Sequence, residues 1–436
     1  MSPLDTCGSA VQFVRERTEG THLLWENRRL TASAVVNRSC WLIPACIVLV
    51  MALHGCLAPI AMHRAVLEYD HTVGQVEAEM LLLNIARAKQ GHPIHFTVVS
   101  NVAATFDFRA NGGLGGQLFD GGGEVFAKNF YTFNLGASVA ENPTVSIIPV
   151  QGEEFTKRLL TPMDESKFQF LINQGIEPAI ILRLMARGIG VEQGGFRSFL
   201  LNLPHQRDEY QEFRRRILHL SALNAARQLH VGPIVYEEPW PLPLEHPLSS
   251  QAFDKGYRWV AHQIPLAPRL SRPVSGRIVI TNYDVAKLSN DERRELQQDA
   301  ERYPWNYVLV DIRPGFPGGD YPWHGQIKLR SFNAMLAFVA RGMEEEPEFV
   351  VEPDMRSGPV ARNPVSTLPV RETDSRAPES VFAVELGGRW YNLDLGERDP
   401  AQASWNREAF VLLSQLYQMT VTDVGSAPAL PITIAK

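Results

Sequence analysis

The chemistry that this sequence offers most clearly is that of one cysteine. All four cysteines of the 436-residue chain, Cys7, Cys40, Cys46 and Cys56, lie near its start. The rest of the chain therefore has no disulfide framework, and a chain that passes through an oxidising compartment gains from carrying no loose thiol. Cys56 directly follows an apolar run, so its thiol is the candidate for a specific covalent modification.

The run before Cys56 has the length of a signal-peptide core. Residues 41–53 are apolar, Arg38 precedes them, and the run is too short for a comfortable membrane span. It ends in Leu53-His54-Gly55-Cys56, which resembles the lipobox of bacterial lipoproteins. That resemblance implies cleavage between Gly55 and Cys56 and lipid chains attached to Cys56. A short uncleaved membrane anchor is the alternative.

Residues 1–55 are accordingly interpreted as a leader and signal peptide. The part before Arg38 is longer and more polar than a signal peptide needs, so we hypothesise a translation start near Val35 or Val36. In the lipoprotein family, an Asp after the cysteine is the usual inner-membrane retention signal in enteric bacteria, and Leu57 stands there. We therefore expect a protein held on the outer membrane and facing the periplasm.

Other patterns that could perform catalysis or bind a metal lack the partners that such chemistry requires. His92 and His95 have no recognisable third zinc ligand. Gly188-Ile189-Gly190 lacks the third glycine of a nucleotide loop and is interpreted as a helix terminus. Asp311, Asp320 and His324 share a loop after a predicted strand, without diagnostic spacing. We expect no enzyme activity, no metal and no cofactor.

Composition limits the binding functions. The chain is 45% apolar and 21% charged with a formal net charge of −6, which is typical of a folded protein and gives no support for nucleic-acid binding. Tryptophans could line a saccharide-binding surface, although packing aromatics are the simpler interpretation. The candidates are Trp240, Trp305, Trp323 and Trp390.

Two runs of alternating residues form the most informative element. Residues 94–109 alternate, and after the glycine-rich segment 112–123 a second run alternates from 131 to 147. This predicts two long strands joined by a flexible loop, as an amphipathic β-hairpin over residues 94–150. Its predicted apolar face, a candidate membrane or interface surface, carries Phe96, Val98, Val102, Phe106, Phe108, Tyr131, Phe133, Leu135 and Val139.

Two interpretations of the hairpin stay open. A half-buried soluble or interface sheet shows the same alternation, and Ser100, Glu141 and Pro143 interrupt the apolar face. Membrane barrels also alternate, need strands of only about 9–11 residues and carry aromatic residues at the interfaces. Because two strands cannot close a barrel, that interpretation requires an oligomer in which every subunit donates one hairpin.

Antiparallel pairing is expected to gather the aromatic residues of the hairpin at one level, beside the glycine-rich loop. These residues are Phe106, Phe108, Tyr131 and Phe133.

The whole chain predicts an α+β fold. It comprises an N-terminal helix over residues 62–89 within an anchor segment 56–93, the long antiparallel hairpin, a helical unit over 151–232, and a C-terminal mixed α/β domain over 233–436 with a loop at 344–381. The helical unit is predicted from helices at 164–174, 177–187 and 208–229. The C-terminal domain is predicted from strands at 277–281 and 307–312, a helix capped by Ser289 and Glu292, a helix at 332–343, a hairpin at 381–393 and a helix at 405–419.

Several segments resemble those of a family of proteobacterial outer-membrane lipoproteins. They are LLLNIARAK at residues 81–89, ENPTVSIIPVQGEEFTKRLLTP at 141–162, LGGRWYNLD at 386–394 and APALPITI at 427–434. The resemblance spans the chain from the anchor to its C-terminal part. It implies a cell-envelope location and a shared fold, and it implies no activity, cofactor or catalytic residue.

These observations together predict a membrane-anchored lipoprotein that acts as a structural or assembly component of a cell-envelope complex. The first alternative is a subunit of an oligomeric outer-membrane β-barrel pore built from hairpin 94–148. The second is a lipid-anchored protein that binds peptidoglycan or polysaccharide. The expected partners are the membrane, through the N-terminal lipid, and other envelope proteins or further copies of the chain, with no nucleic acid.

Overall fold

The computed structural model describes residues 36–117, 130–240, 250–261, 268–343, 345–378, 380–393 and 400–421. The leader before Val36 and the segment 427–434 lie outside these residues. Contacts divide the chain into two units, Met1–Glu68 and Tyr69–Lys436, and every described element except the first part of the N-terminal helix belongs to the second. No helix in the described ranges is both long and apolar enough to cross a membrane.

The α+β class is confirmed. The helices are α1 Val36–Lys89, α2 Glu153–Leu160, α3 Glu165–Asn173, α4 Pro178–Met185, α5 Arg207–Ala225, α6 Ser250–Asp254, α7 Asn290–Glu301, α8 Phe332–Arg341 and α9 Pro400–Val421. The strands are β1 Phe96–Gln117, β2 Phe130–Val150, β3 Ala186–Gln193, β4 Phe196–Leu201, β5 His230–Pro239, β6 Arg258–Ala261, β7 Pro268–Thr281, β8 Tyr307–Ile312, β9 Trp323–Leu329, β10 Val370–Thr373, β11 Ala383–Leu386 and β12 Arg389–Leu393.

Local signals placed several of these elements correctly. Helix α7 begins with the predicted capping box, in which Glu292 N donates to Ser289 Oγ at 3.3 Å and Ser289 N donates to Glu292 Oε2 at 2.8 Å. The turn between β11 and β12 has positive φ at both Gly387 and Gly388, as a two-residue hairpin turn requires. Helix α1 ends at Lys89, as predicted, and the chain is already helical from Val36, well before the predicted start at Met62.

The central sheet has the order β4-β3-β9-β8-β7-β5, and β6 also pairs with β7. Only β7 and β8 are parallel among these pairs. The sheet joins strands from both sides of the predicted boundary at residue 232. The predicted helical unit and the C-terminal domain therefore do not form separate compact units.

The interpretation of Gly188-Ile189-Gly190 as a helix terminus is wrong, because these residues lie in β3. Strand β3 pairs with β4 on one side and β9 on the other. A Cβ at Gly188 would meet Leu200 O at 2.6 Å, and one at Gly190 would meet the Gln326 side chain at 2.2 Å. The glycines thus allow a close approach to neighbouring chain segments, which is a common reason for glycine inside a strand.

The predicted loop at 344–381 contains the short strand β10 and is fixed to the helices by a buried ionic network. Glu348 Oε1 lies 3.0 Å from Arg183 Nη2 and 3.7 Å from Arg214 Nη1, and it accepts a hydrogen bond from Tyr210 OH at 2.7 Å. Arg183 also donates to the carbonyls of Pro364 and Val365, at 2.9 and 2.7 Å. Burial alone would raise the pKa of Glu348, but Arg183 and Arg214 lower it to about 2.

Candidate functional site

Strands β1 and β2 form a two-stranded antiparallel ribbon that runs from the pair Phe96 and Val150 to the pair Gln117 and Phe130. Strand β1 has 22 residues, so the ribbon is about 70 Å long at a rise of about 3.3 Å per residue. Within the described residues neither strand pairs with any other strand. Both outer edges therefore lack a backbone partner there, and long unpaired edges favour further strand pairing.

The base of the ribbon is fixed to the core of the protein. Phe96 is 1% exposed, and its ring stacks on Tyr417 of α9 with centroids 4.3 Å apart. Val98 and Val150 pack against the same core. The assignment of Phe96 and Val98 to a membrane or interface face is therefore wrong, because both residues belong to the packing of the base.

Helix α1 holds the entry to β1 through a buried asparagine. The Asn84 side chain donates to His95 O at 2.9 Å and accepts from His95 N at 2.9 Å. Arg87 Nη1 donates to the same His95 carbonyl at 2.9 Å. Asn84 and Arg87 belong to the LLLNIARAK segment, so this segment positions the first strand of the hairpin.

A β-bulge then exchanges the two faces of the ribbon. Val99 lies opposite Ile147 and Asn101 lies opposite Ser146, so Ser100 is the extra residue in β1. Residues in direct register share a face, and successive residues of β2 alternate between faces. The side of the ribbon that packs on the core at Phe96 is therefore formed by even-numbered residues of β1 before Ser100 and by odd-numbered residues of β1 beyond it. The predicted single apolar face over residues 94–108 is wrong for this reason.

Beyond the bulge, the register divides the residues between two faces of different average polarity. One face, called the apolar face below, takes Val102, Ala104, Phe106, Phe108, Ala110, Gly112, Leu114 and Gly116 of β1 with Val145, Pro143, Glu141, Val139, Ala137, Leu135, Phe133 and Tyr131 of β2. The opposite polar face takes Asn101, Ala103, Thr105, Asp107, Arg109, Asn111, Gly113, Gly115 and Gln117 with Ser146, Thr144, Asn142, Ala140, Ser138, Gly136, Asn134, Thr132 and Phe130.

The aromatic residues of the apolar face lie at two levels, so the prediction of one level is wrong. Phe106 is opposite Glu141 and Phe108 is opposite Val139, whereas Phe133 is opposite Leu114 and Tyr131 is opposite Gly116. The difference arises because β1 continues through the glycine-rich segment to Gln117 instead of ending at residue 109. Small residues lie between the two levels, including Gly112 opposite Leu135.

The three interruptions of the apolar pattern all fall toward the base. Ser100 is the bulge residue, and Pro143 and Glu141 lie opposite Ala104 and Phe106. Beyond them, in the distal ribbon formed by residues 107–117 and 130–140, the apolar face contains no charged residue and no proline. The distal ribbon thus has the uniform apolar face that the complete hairpin lacks.

A cavity of about 470 Å³ lies where both strands join the compact unit. His92 and His95 line it together with Gly152, Phe155 and Asn333. Within the described residues, no three His, Cys, Asp or Glu side chains gather in a way that could bind a metal ion. Gly55 and Cys56 lie in the first part of α1, where the backbone alone is described.

The structure brings Asp311 and His324 together, as neighbours on β8 and β9. His324 Nδ1 lies 3.1 Å from Asp311 Oδ1, and Tyr283 OH and Arg313 Nε donate to Asp311 Oδ2 at 2.5 and 2.6 Å. The hydrogen bond to Asp311 raises the pKa of His324. Asp320 lies in an exposed turn. The Asp311 carboxylate is thus held by three neighbours, His324, Tyr283 and Arg313.

The four tryptophans do not supply a set of exposed rings. Trp323 is 1% exposed and donates to Gly190 O at 3.0 Å inside the sheet. Trp240 packs edge-on against Tyr257 with ring centroids 4.9 Å apart. Trp390 lies in β12 of the small sheet β10-β12-β11. Trp305 is exposed, and the Arg277 Cζ atom lies 4.7 Å from the centroid of its ring. These residues therefore give no specific support to saccharide binding.

Comparison of the chain with protein-family models, with curated proteins and with solved structures found no match. Sequence reasoning misses Ala110, Gly112 and Leu114 of the apolar face, because the predicted first strand ends at residue 109 and β1 extends to Gln117. The signal was present, since Leu114 continues the alternation of Phe106 and Phe108.

Proposed function

We propose that this chain is a lipid-anchored subunit of an oligomeric β-barrel pore, to which each subunit contributes the hairpin of β1 and β2. The observation that supports this proposal is the register of the distal ribbon. It gives one face without charged residues, and an opposite face that combines polar and charged residues with small ones. Membrane barrels show this alternation, with the apolar side toward lipid and the polar side toward the lumen.

The dimensions of the apolar face suit a bilayer. From Phe106 to Gly116 the strand extends about 34 Å at about 3.4 Å per residue. A tilt of about 40° reduces this length to a height of about 26 Å, close to the apolar band of membrane barrels. The two aromatic levels fall near the ends of this interval, where barrels carry their interfacial aromatic residues. Glu141 lies at its border.

The unpaired edges of the ribbon supply the reason for oligomerisation. An isolated two-stranded ribbon is at best marginally stable in water, and it cannot enter lipid with open edges. Pairing of β1 in one subunit with β2 of the next would satisfy both edges and close the barrel. A hairpin from each subunit always gives an even number of antiparallel strands, as bacterial barrels have.

The lipid on Cys56 would hold the subunits at the membrane before they assemble. Each buried methylene contributes about 0.8 kcal/mol, so two or three acyl chains anchor a protein firmly. Confinement to one membrane raises the effective concentration of subunits for one another. An anchor of this kind therefore favours ring formation at a low amount of protein per cell.

The test is the native mass of the full-length protein, extracted in mild detergent. We expect a ring of several subunits for the wild type. A variant in which a two-residue Asn-Gly turn replaces residues 107–140 should be a monomer, because it has lost the distal ribbon and kept the core-packed base. Its compact unit should still unfold in one cooperative transition, which controls for misfolding.

A monomeric wild type would overturn the proposal. An unchanged number of subunits in the shortened variant would also overturn it, and would favour the structural component of an envelope complex that the sequence first predicts.

A further inference from the structure

The polar face of the ribbon contains two charged residues, of opposite sign, among the positions that the register assigns to it. They are Asp107 and Arg109, opposite Ala140 and Ser138. Both lie on β1 with one residue between them, so their Cα atoms are about 7 Å apart along the strand. The uncharged polar residues of this face are Asn101, Thr105, Asn111, Gln117, Thr132, Asn134, Ser138, Asn142, Thr144 and Ser146.

Building on the proposed function, we propose that Asp107 and Arg109 form two adjacent, mutually compensating charged rings in the lumen, and that the pore therefore shows no preference between cations and anions. In a closed barrel of identical subunits, every subunit contributes one carboxylate and one guanidinium at neighbouring levels. The sum of the two rings is zero, whatever the number of subunits.

Charged rings are the usual determinants of ion selectivity in pores. A carboxylate ring alone favours cations, and a guanidinium ring alone favours anions. With both rings about 7 Å apart, which is within one Debye length at physiological ionic strength, their fields largely cancel in the lumen. Most of the other residues of this face have hydroxyl or amide side chains, which carry no net charge.

The test is the reversal potential of full-length protein in planar bilayers across a KCl gradient. The wild type should give a reversal potential near zero. Asp107→Asn should change the cation-to-anion permeability ratio about threefold or more toward anions, and Arg109→Gln should change it similarly toward cations. The double variant should return to the wild-type value, which a merely structural role would not produce.

Glu141→Gln is the matched control, because it makes the same type of change as Asp107→Asn on the apolar face. It should leave the permeability ratio unchanged. The inference about the lumen would be overturned if Asp107→Asn and Arg109→Gln left the permeability ratio unchanged, or if Glu141→Gln changed it equally. Either result would leave the proposal of a pore in place. Absence of channels from the wild type would instead overturn the proposed function.

Discussion

Replacing Leu135 by Asp is expected to prevent insertion of the hairpin into a bilayer while the rest of the chain stays folded. Leu135 lies opposite Gly112 on the apolar face, between the two aromatic levels. A charge on the lipid side near the middle of a bilayer costs about 2 kcal/mol, which corresponds to about 30-fold weaker insertion for each subunit. A ring would carry this penalty in every subunit. Release of a dye from lipid vesicles measures the effect.

Asn134→Asp is the matched control, because it introduces the same side chain one residue away. Asn134 lies opposite Gly113 on the polar face. We expect this variant to release dye nearly as the wild type does, since its carboxylate would meet water in the lumen. Equal loss of activity in both variants would contradict the assignment of faces. A loss of the folded core in Leu135→Asp would favour a soluble sheet.

Replacing Glu348 by Ala is expected to destabilise the compact unit by about 3–5 kcal/mol. The side chains of Glu348, Arg183 and Arg214 are 7%, 2% and 1% exposed. Removing the carboxylate leaves two buried guanidinium groups without their counter-charge, which costs far more than the loss of an exposed ion pair. It also removes the acceptor of the Tyr210 hydroxyl. Urea unfolding followed by tryptophan fluorescence measures the change.

The same network sets a pH dependence. The folded-state pKa of Glu348 is lowered from 4.5 to about 2, so its stabilisation is complete above pH 4.5 and is lost as the pH falls toward 2. The Glu348→Ala variant should lack this part of the acid sensitivity.

Glu153→Ala is the control for the loss of stability, because Glu153 forms an exposed ion pair with Lys157 at 2.7 Å. Its replacement should change the free energy of unfolding by about 0.5 kcal/mol or less. A similar loss in both variants would contradict the network.

The elements that the sequence predicts well are those specified by near neighbours. Ser289 and Glu292 begin α7 through contacts within one turn. The turn at Gly387 and Gly388 and the alternation of the hairpin strands are equally local. Periodicity also gave the helices α3, α4, α5 and α8, since their apolar faces recur at helical spacing.

The elements that the sequence does not reveal depend on distant partners. Gly190 belongs to a strand because its neighbour in space is Gln326, far along the chain. The phase change at Ser100 depends on the register of β1 against β2, which lies more than 40 residues further along the chain. Arg183 and Arg214 resemble ordinary charged residues of helices until Glu348 and Tyr210 surround them. The lipidation of Cys56 stays a prediction from the lipobox.

A cysteine scan of the distal ribbon tests the central claim most directly. The chain has no cysteine after Cys56, so a fluorophore can be attached to one cysteine introduced at each of positions 107–117 in turn. Quenchers attached to lipid molecules reach such a fluorophore only when it lies within the bilayer. In membrane-assembled protein we predict that labels are quenched when the cysteine replaces Phe108, Ala110, Gly112 or Leu114. Labels at the positions between them should be unquenched and accessible to water. Uniform access to water, or quenching without a period of two, would contradict a hairpin that crosses the membrane.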